Sequence, residues 1–124
     1  MIKGLETSFS CAHFYNQPAW AIDKNKATFG KCYSQYGHGH DYRLQIEFIE
    51  AENTKSEVQK ILNLLKEELD HKHLNFDISH FQKTIPTTEN IALYCRKRIL
   101  YLAPHIEIKL IRLYERPDLW VELR

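Results

Sequence analysis

The chain has 124 residues, with 17 Lys and Arg against 16 Asp and Glu, and this length fits one ordinary domain over residues 1–124. Its 44% apolar and 27% charged residues are close to the average for globular domains, which excludes a disordered or fibrous chain. A net charge of +1 provides no broad positive field, so we expect no nucleic-acid partner and no membrane-surface partner.

The first predicted elements are two strands. In residues 2–14 the side chains of Phe9, Cys11 and His13 share one side, which indicates a strand. From residue 38 to residue 48 the residues alternate in a strict period of two, the pattern of a half-buried strand. The stretch 15–36 between them has little regular period, and an irregular loop of this length in a small domain is usually functional or disordered.

Two predicted helices follow. Apolar residues between positions 58 and 69 recur at helical spacing, and Ser56 is the expected N-cap. A second stripe predicts a helix from Thr88 to Leu102, with Thr87 or Thr88 as its cap and Pro104 just past its end.

Two more strands, over residues 106–115 and 119–123, complete the order ββααββ. This order predicts an α+β fold in which a four-stranded antiparallel sheet carries both helices on one face. An open sheet of this kind exposes two edges, so we expect an oligomer.

The apolar runs and the cysteines set further limits. No run approaches the roughly 20 apolar residues that cross a bilayer, and Lys3 and Glu6 interrupt any secretory segment, so we expect a cytoplasmic protein. The three cysteines form no CxxC motif, which argues against a disulfide framework and against a thiolate zinc knuckle.

Three of the seven histidines form the strongest candidate site. His38 and His40 are two residues apart on a strand, so both face the same side, about 7 Å apart along the backbone. Antiparallel pairing can bring His13 opposite them, and three histidines are the donor set of a catalytic zinc site with one open position. Gly37 and Gly39 flank these candidate ligands, one before His38 and one between His38 and His40, and permit close backbone approach. The alternative is an accidental HxH pattern with His13 as a packing residue.

Two further groups of residues each have one functional and one structural interpretation. Asp70 with His71-x-His73 is either a competing metal site or a carboxylate that orients an imidazole. Cys32 beside Lys31 is either a thiolate base or a small buried residue.

Glu115 is the next candidate, because a carboxylate at a strand end can accept two parallel N–H bonds from a purine or pterin edge. The alternative is a surface glutamate. Thr87, Thr88 and Glu89 are interpreted first as a helix cap and a favourable acidic residue in the first turn.

Several motifs, taken together and in order, resemble the 6-pyruvoyl-tetrahydropterin synthase family. The match runs along nearly the whole chain, and no single motif is specific. The motifs are Ser8-Phe9-Ser10-Cys11-Ala12-His13, Phe29-Gly30-Lys31-Cys32 followed after five residues by His38-Gly39-His40, Leu69-Asp70-His71-Lys72-His73-Leu74, Thr87-Thr88-Glu89-Asn90 and Tyr114-Glu115.

The resemblance implies a tunnelling fold, in which ββααββ subunits form a trimeric barrel and two trimers stack into a homohexamer with active sites at subunit interfaces. It also implies Zn²⁺ as cofactor and 7,8-dihydroneopterin triphosphate as the small-molecule substrate. The implied zinc ligands are His13, His38 and His40.

The implied catalytic residues are Cys32 as proton acceptor, with Asp70 and His71 as its relay partners. Glu115 would anchor the pterin ring, and Thr87 and Thr88 would lie near it. The implied reaction removes a proton from the substrate side chain, moves another, and eliminates triphosphate.

Two family members differ in product. One yields 6-pyruvoyl-tetrahydropterin; the other, 6-carboxy-tetrahydropterin synthase of queuosine biosynthesis, also releases acetaldehyde. The five-residue gap between Cys32 and His38, together with the preceding Phe29-Gly30-Lys31, is more similar to the pyruvoyl type. A non-catalytic pterin-binding module and a metal-independent dihydroneopterin aldolase are two hypotheses that differ from both.

The sequence departs from the family pattern in two places. Cys11 stands where the family usually has Ala or Ser, and it shares a face with His13, so it is a candidate for a fourth, inhibitory ligand. The segment 48–56 is shorter than usual, which affects the expected subunit contacts there.

Overall fold

The computed structural model of the chain describes residues 1–17, 19–31 and 37–124, together with the main chain of Cys32. No helix in this described part is both long enough and apolar enough to span a membrane. The strands are β1 (Ile2–His13), β2 (His38–Ile49), β3 (Lys72–His73), β4 (Ile108–Arg116) and β5 (Leu119–Leu123). The helices are α1 (Ile22–Phe29), α2 (Thr54–Leu69), α3 (Leu74–Asp77) and α4 (Thr88–Leu102), with short 3₁₀ turns at Gly30–Cys32 and Ser79–Gln82.

The strands form one sheet in the order β3-β1-β2-β4-β5, antiparallel except for the short β1–β3 pair. Helices α2 and α4 pack on one face of this sheet, and the core lies between the two layers. The predicted α+β fold is confirmed, but the sheet has five strands and not the predicted four, because the short β3 pairs with β1. Phe9 and Cys11 lie on the covered face, on one side of β1 as predicted, together with side chains of β2 and β4. Phe9, Cys11, Tyr42, Leu44, Ile111 and Leu113 are all buried there.

Three elements were not predicted: β3, α1 and the four-residue helix α3. Strand β3 is only two residues long, too short to show any period. Helix α1 lies within the stretch interpreted as irregular, and its one buried residue is Asn25, so no apolar stripe marks it. The Asn25 side chain accepts a hydrogen bond from the backbone N–H of Gln17 and donates one to the Gln17 carbonyl oxygen, so polar contacts hold this helix in place.

The helix caps were partly predicted. Thr87 caps α4, because its hydroxyl oxygen accepts from the backbone N–H of Asn90 at 3.1 Å. Ser56 is not the cap of α2, since the helix begins at Thr54 after Asn53, which adopts a left-handed conformation with φ 64°. The hydroxyl of Ser56 donates instead to the Asn53 carbonyl oxygen.

Gly37 determines how the chain enters β2. Its φ is +84°, and a Cβ at this position would lie 2.8 Å from the His13 carbonyl oxygen and 2.7 Å from His73 Nε2. Gly39 differs, because a Cβ there would meet the Cys11 carbonyl oxygen at an ordinary 3.7 Å. The predicted close approach therefore holds at Gly37 and not at Gly39.

We expect Gly37→Ala to lower the free energy of unfolding by about 1 to 3 kcal/mol, because it adds both strain and a clash. The matched variant Gly39→Ala should lower it by less than about 1 kcal/mol. Urea unfolding of the metal-free proteins measures both values, and equal losses would contradict this account of Gly37.

Candidate metal centre

Four side chains converge at one end of the sheet. His13, His38, His40 and Glu115 each offer one ligand atom, and these atoms all lie within 4.8 Å of one another. Two of the residues are buried and two are half-buried. In residues 1–17, 19–31 and 37–124 this is the one group of three or more such residues that can hold a metal ion.

The register of β1 and β2 brings the three histidines together. His13 pairs with His38 and Cys11 pairs with His40, so all three imidazoles lie on the covered face of the sheet. The ring centroids are 4.8 Å apart for His13 and His38, 4.9 Å for His38 and His40, and 5.1 Å for His13 and His40. The predicted antiparallel approach of these histidines is therefore what the structure has.

Two nitrogen atoms that face the centre of the cluster lack hydrogen-bond partners. Nε2 of His13 and Nε2 of His40 are buried and make no hydrogen bond, although they lie 3.5 Å and 2.7 Å from Oε1 of Glu115. Buried polar atoms are nearly always paired, so each such exception requires an explanation. Two unpaired nitrogens that face one carboxylate oxygen fit a bound cation.

The tautomer of His13 agrees with this interpretation. Its Nδ1 lies 2.9 Å from the carbonyl oxygen of Pro86. Because a carbonyl oxygen can only accept, Nδ1 carries the hydrogen, and in the neutral imidazole the lone pair of Nε2 then points into the cluster. Metal-bound histidines commonly use their second nitrogen in this way.

The charges of the cluster are those of metal ligands. Burial lowers the pKa of His38 and of His40; the neighbouring histidines lower both further, while Glu115 opposes the shift. The pKa of Glu115 is lowered to about 2, chiefly by the His13 imidazole, with the Thr88 hydroxyl and His40 adding to the effect against burial. At neutral pH the site thus offers the uncharged imidazoles of His38 and His40 and the ionised carboxylate of Glu115, the forms that bind metals.

A bulge and a helix end direct Glu115 into the cluster. The register between β4 and β5 shifts between Tyr114 and Arg116, which leaves Glu115 without a partner in β5. Its second oxygen, Oε2, accepts a hydrogen bond from the Thr88 hydroxyl at 2.7 Å, and both residues are buried. Thr88 is therefore joined to the cluster through Glu115, whereas the Thr87 hydroxyl is engaged in capping α4.

Asp70 and His71 form a separate pair. Oδ1 of Asp70 accepts from the backbone N–H of Ser10 at 2.7 Å, and Oδ2 lies 2.9 Å from Nδ1 of His71. The Ser10 N–H is the main cause that lowers the pKa of Asp70. His71 has a positive φ of 61°, and its side chain is 85% exposed. The structure has the predicted orienting contact, outside the histidine cluster.

Cys32, Cys11 and the second histidine motif are the remaining candidates. The side chain of Cys32 lies outside the described residues. Cys11 is a core residue outside the metal-binding group, and burial, with Cys95 and Asp70 nearby, raises the pKa of its thiol to about 12. The Asp70, His71 and His73 pattern forms no metal-binding group among the described residues.

Two contributions were missed in the sequence. Glu115 was expected to hold a pterin, and only the fold reveals that it faces the histidines. Pro86 acts through its backbone carbonyl oxygen, and because every residue has this group, the sequence does not reveal it. The adjacent cap residue Thr87 indicates only that the chain turns into a helix there.

Comparisons with known proteins find similar sequences over most of the chain. The family model described as 6-pyruvoyl tetrahydropterin synthase matches residues 4–124. A putative 6-pyruvoyl tetrahydrobiopterin synthase of Caenorhabditis elegans is 32% identical over 99 residues, covering 74% of this chain and 71% of the relative. A dihydroneopterin monophosphate aldolase of Pyrococcus furiosus is 37% identical over 93 residues, covering 69% and 76%.

A solved structure gives the same result. The 6-pyruvoyl tetrahydropterin synthase of Caenorhabditis elegans superposes with a TM-score of 0.91 at 25% identity, covering 100% of this chain and 94% of that one. The fold of the single subunit is therefore the one that the resemblance implied, an α+β subunit of the tunnelling fold. The chain belongs to the 6-pyruvoyl tetrahydropterin synthase family.

Proposed function

We propose that the protein is a zinc-dependent lyase that converts 7,8-dihydroneopterin triphosphate to 6-pyruvoyl-tetrahydropterin with elimination of triphosphate. The observation that carries the proposal is the pair of buried, unpaired Nε2 atoms of His13 and His40 beside the Glu115 carboxylate. Family membership supports a pterin substrate and a lyase reaction. Residues 1–124 would act as one domain of this type.

Zinc is the proposed metal, held by His13, His38 and His40. Three neutral imidazoles with an open fourth position are the donor set of catalytic zinc sites. When bound, zinc would supply a Lewis acid next to the side-chain hydroxyls of the substrate. Glu115 would remain ionised beside the ligands and hold the substrate at the site.

Cys32 is the proposed proton acceptor. Its main chain ends the short turn Gly30–Cys32, six residues before the ligand His38. A thiol near a cation or a lysine loses its proton more readily, and only the thiolate is a competent base. Thr87 and Thr88 would contribute to the pterin pocket, the latter through Glu115.

Asp70 and His71 are the proposed proton relay. Ser10 fixes one oxygen of Asp70, and the other oxygen holds Nδ1 of His71, which leaves Nε2 of His71 free to exchange a proton with a substrate. The exposure of His71 supports a site shared between subunits. From the family resemblance we also propose a homohexamer, built as a dimer of trimers, in the cytoplasm.

A second activity is favoured by one specific relative. The Pyrococcus furiosus protein at 37% identity is named a dihydroneopterin monophosphate aldolase. In a metal-independent aldolase the histidine cluster would serve the structure alone. The same fold could also carry the 6-carboxy-tetrahydropterin synthase reaction, with acetaldehyde as an extra product, or simple pterin binding.

The metal site predicts a binding ratio of about one zinc ion per chain for the natural protein. His40→Ala should reduce zinc affinity at least tenfold. Mutation of a residue that only hydrogen-bonds to a metal ligand already lowers metal affinity by roughly 10-fold, and removal of a direct ligand should cost at least as much. The matched control His80→Ala changes an exposed histidine outside the cluster and should bind zinc normally. Chelator competition measures the affinities, and equal binding by both variants would refute the site.

The zinc-loaded protein should convert 7,8-dihydroneopterin triphosphate with release of triphosphate, and mass spectrometry should identify 6-pyruvoyl-tetrahydropterin. Acetaldehyde would indicate the carboxy type, and chelator-insensitive turnover of the monophosphate would indicate an aldolase. Cys32→Ala should lose turnover while it still binds zinc, and unchanged turnover in that variant would exclude Cys32 as the base.

Glu115→Gln should separate two roles for this residue. Gln keeps the size and removes the charge, so we expect turnover to fall by about 100-fold or more, as for the loss of a charged group in an active site. Zinc should still bind through the three histidines. A loss of zinc that matches the effect of His40→Ala would instead make Glu115 a principal ligand.

A further inference from the structure

Tyr42 lies behind the histidine cluster and has no role in the proposed function. It is completely buried, and it follows His40 by two residues on the same face of β2. Its hydroxyl oxygen lies 3.1 Å from Nδ1 of His13, on the side of the ring away from the cluster. A buried tyrosine hydroxyl usually has a specific partner, and here that partner is a candidate metal ligand.

Two oxygens therefore enclose the Nδ1–H of His13. The Pro86 carbonyl oxygen lies 2.9 Å away and can only accept, so it requires a hydrogen on Nδ1. The phenol oxygen of Tyr42 is then a second acceptor for the same hydrogen. Together they favour the tautomer in which Nε2 is unprotonated and faces His40 and Glu115.

The packing of Tyr42 keeps its hydroxyl in place. Its ring stacks on Phe9, its neighbour in β1, with centroids 5.4 Å apart and an interplanar angle of 19°. The ring also meets His40 edge to face at 5.9 Å and His13 at 6.1 Å. Because these neighbouring side chains confine the ring, the phenol oxygen is held in one position beside the His13 imidazole.

We propose that Tyr42 is a positioning residue of the metal centre, which acts with the Pro86 carbonyl oxygen to hold His13 as the Nδ1–H tautomer with Nε2 directed at the metal. The inference rests on the proposed metal binding and goes beyond it, because it assigns a residue that does not touch the ion. Partners of this kind fix the orientation and the basicity of a ligating imidazole.

The test uses Tyr42→Phe, which keeps the ring and removes the hydroxyl. The matched control is Tyr94→Phe, because Tyr94 is partly buried in α4, where its ring contacts Phe81 and His80 and not the cluster. Zinc affinity by chelator competition should fall about tenfold in Tyr42→Phe and stay unchanged in Tyr94→Phe. An affinity in Tyr42→Phe within about twofold of the natural protein would overturn the proposal.

A second measurement needs no variant and no metal. In the metal-free natural protein at about pH 8.5, well above the usual imidazole pKa, the ¹⁵N shifts of His13 should report a protonated Nδ1 and an unprotonated Nε2. The reverse tautomer would overturn the proposal even if Tyr42→Phe failed to fold. Failure of the natural protein to bind zinc would refute the proposed function instead, and the tautomer of His13 would still decide this inference.

Discussion

The antiparallel register between β1 and β2 is the constraint on which the site depends. It places His13 opposite His38, and it does so because Phe9 pairs with Tyr42 farther along the same two strands. Side chains alternate between the two faces of a sheet, so a slip of one residue would turn a whole row of buried side chains towards solvent. The packing that stabilises the core therefore also fixes the spacing of the imidazoles, and the site needs no separate scaffold.

The same region keeps a buried carboxylate in its ionised form. Glu115 is only 7% exposed, and in the described part of the chain the imidazoles of His13 and His40 lie nearest its Oε1 atom, at 3.5 Å and 2.7 Å. Burial of a carboxylate without a compensating charge costs several kcal/mol. The Thr88 hydroxyl and the bulge in β4 hold the carboxylate in place in spite of this cost. Such an arrangement is expected where a cation completes the balance of charge.

The parts that could be predicted are those with a local signal. Alternation from His38 onward gave β2, and with it the shared face of His38 and His40, because strand period and ligand spacing are the same property of the chain. The approach of Glu115 depends on a bulge and on the start of α4, which are tertiary features without a local pattern. The Pro86 carbonyl oxygen is invisible for another reason: every residue has one, and only the fold selects which one faces His13.

The exposure of His71 connects catalysis to assembly. A proton relay works best in a site that excludes water, yet the His71 side chain is 85% exposed and its Asp70 partner is fixed to β1 at the edge of the sheet. Strand β3 pairs with β1 only at Cys11 and Ala12, so residues 2–10 have no strand on that side within the described chain. If His71 moves a proton during turnover, as proposed, a surface beyond the described residues of its own subunit must enclose it. An oligomer that covers this edge would then protect the open strand and complete the active site through the same contact.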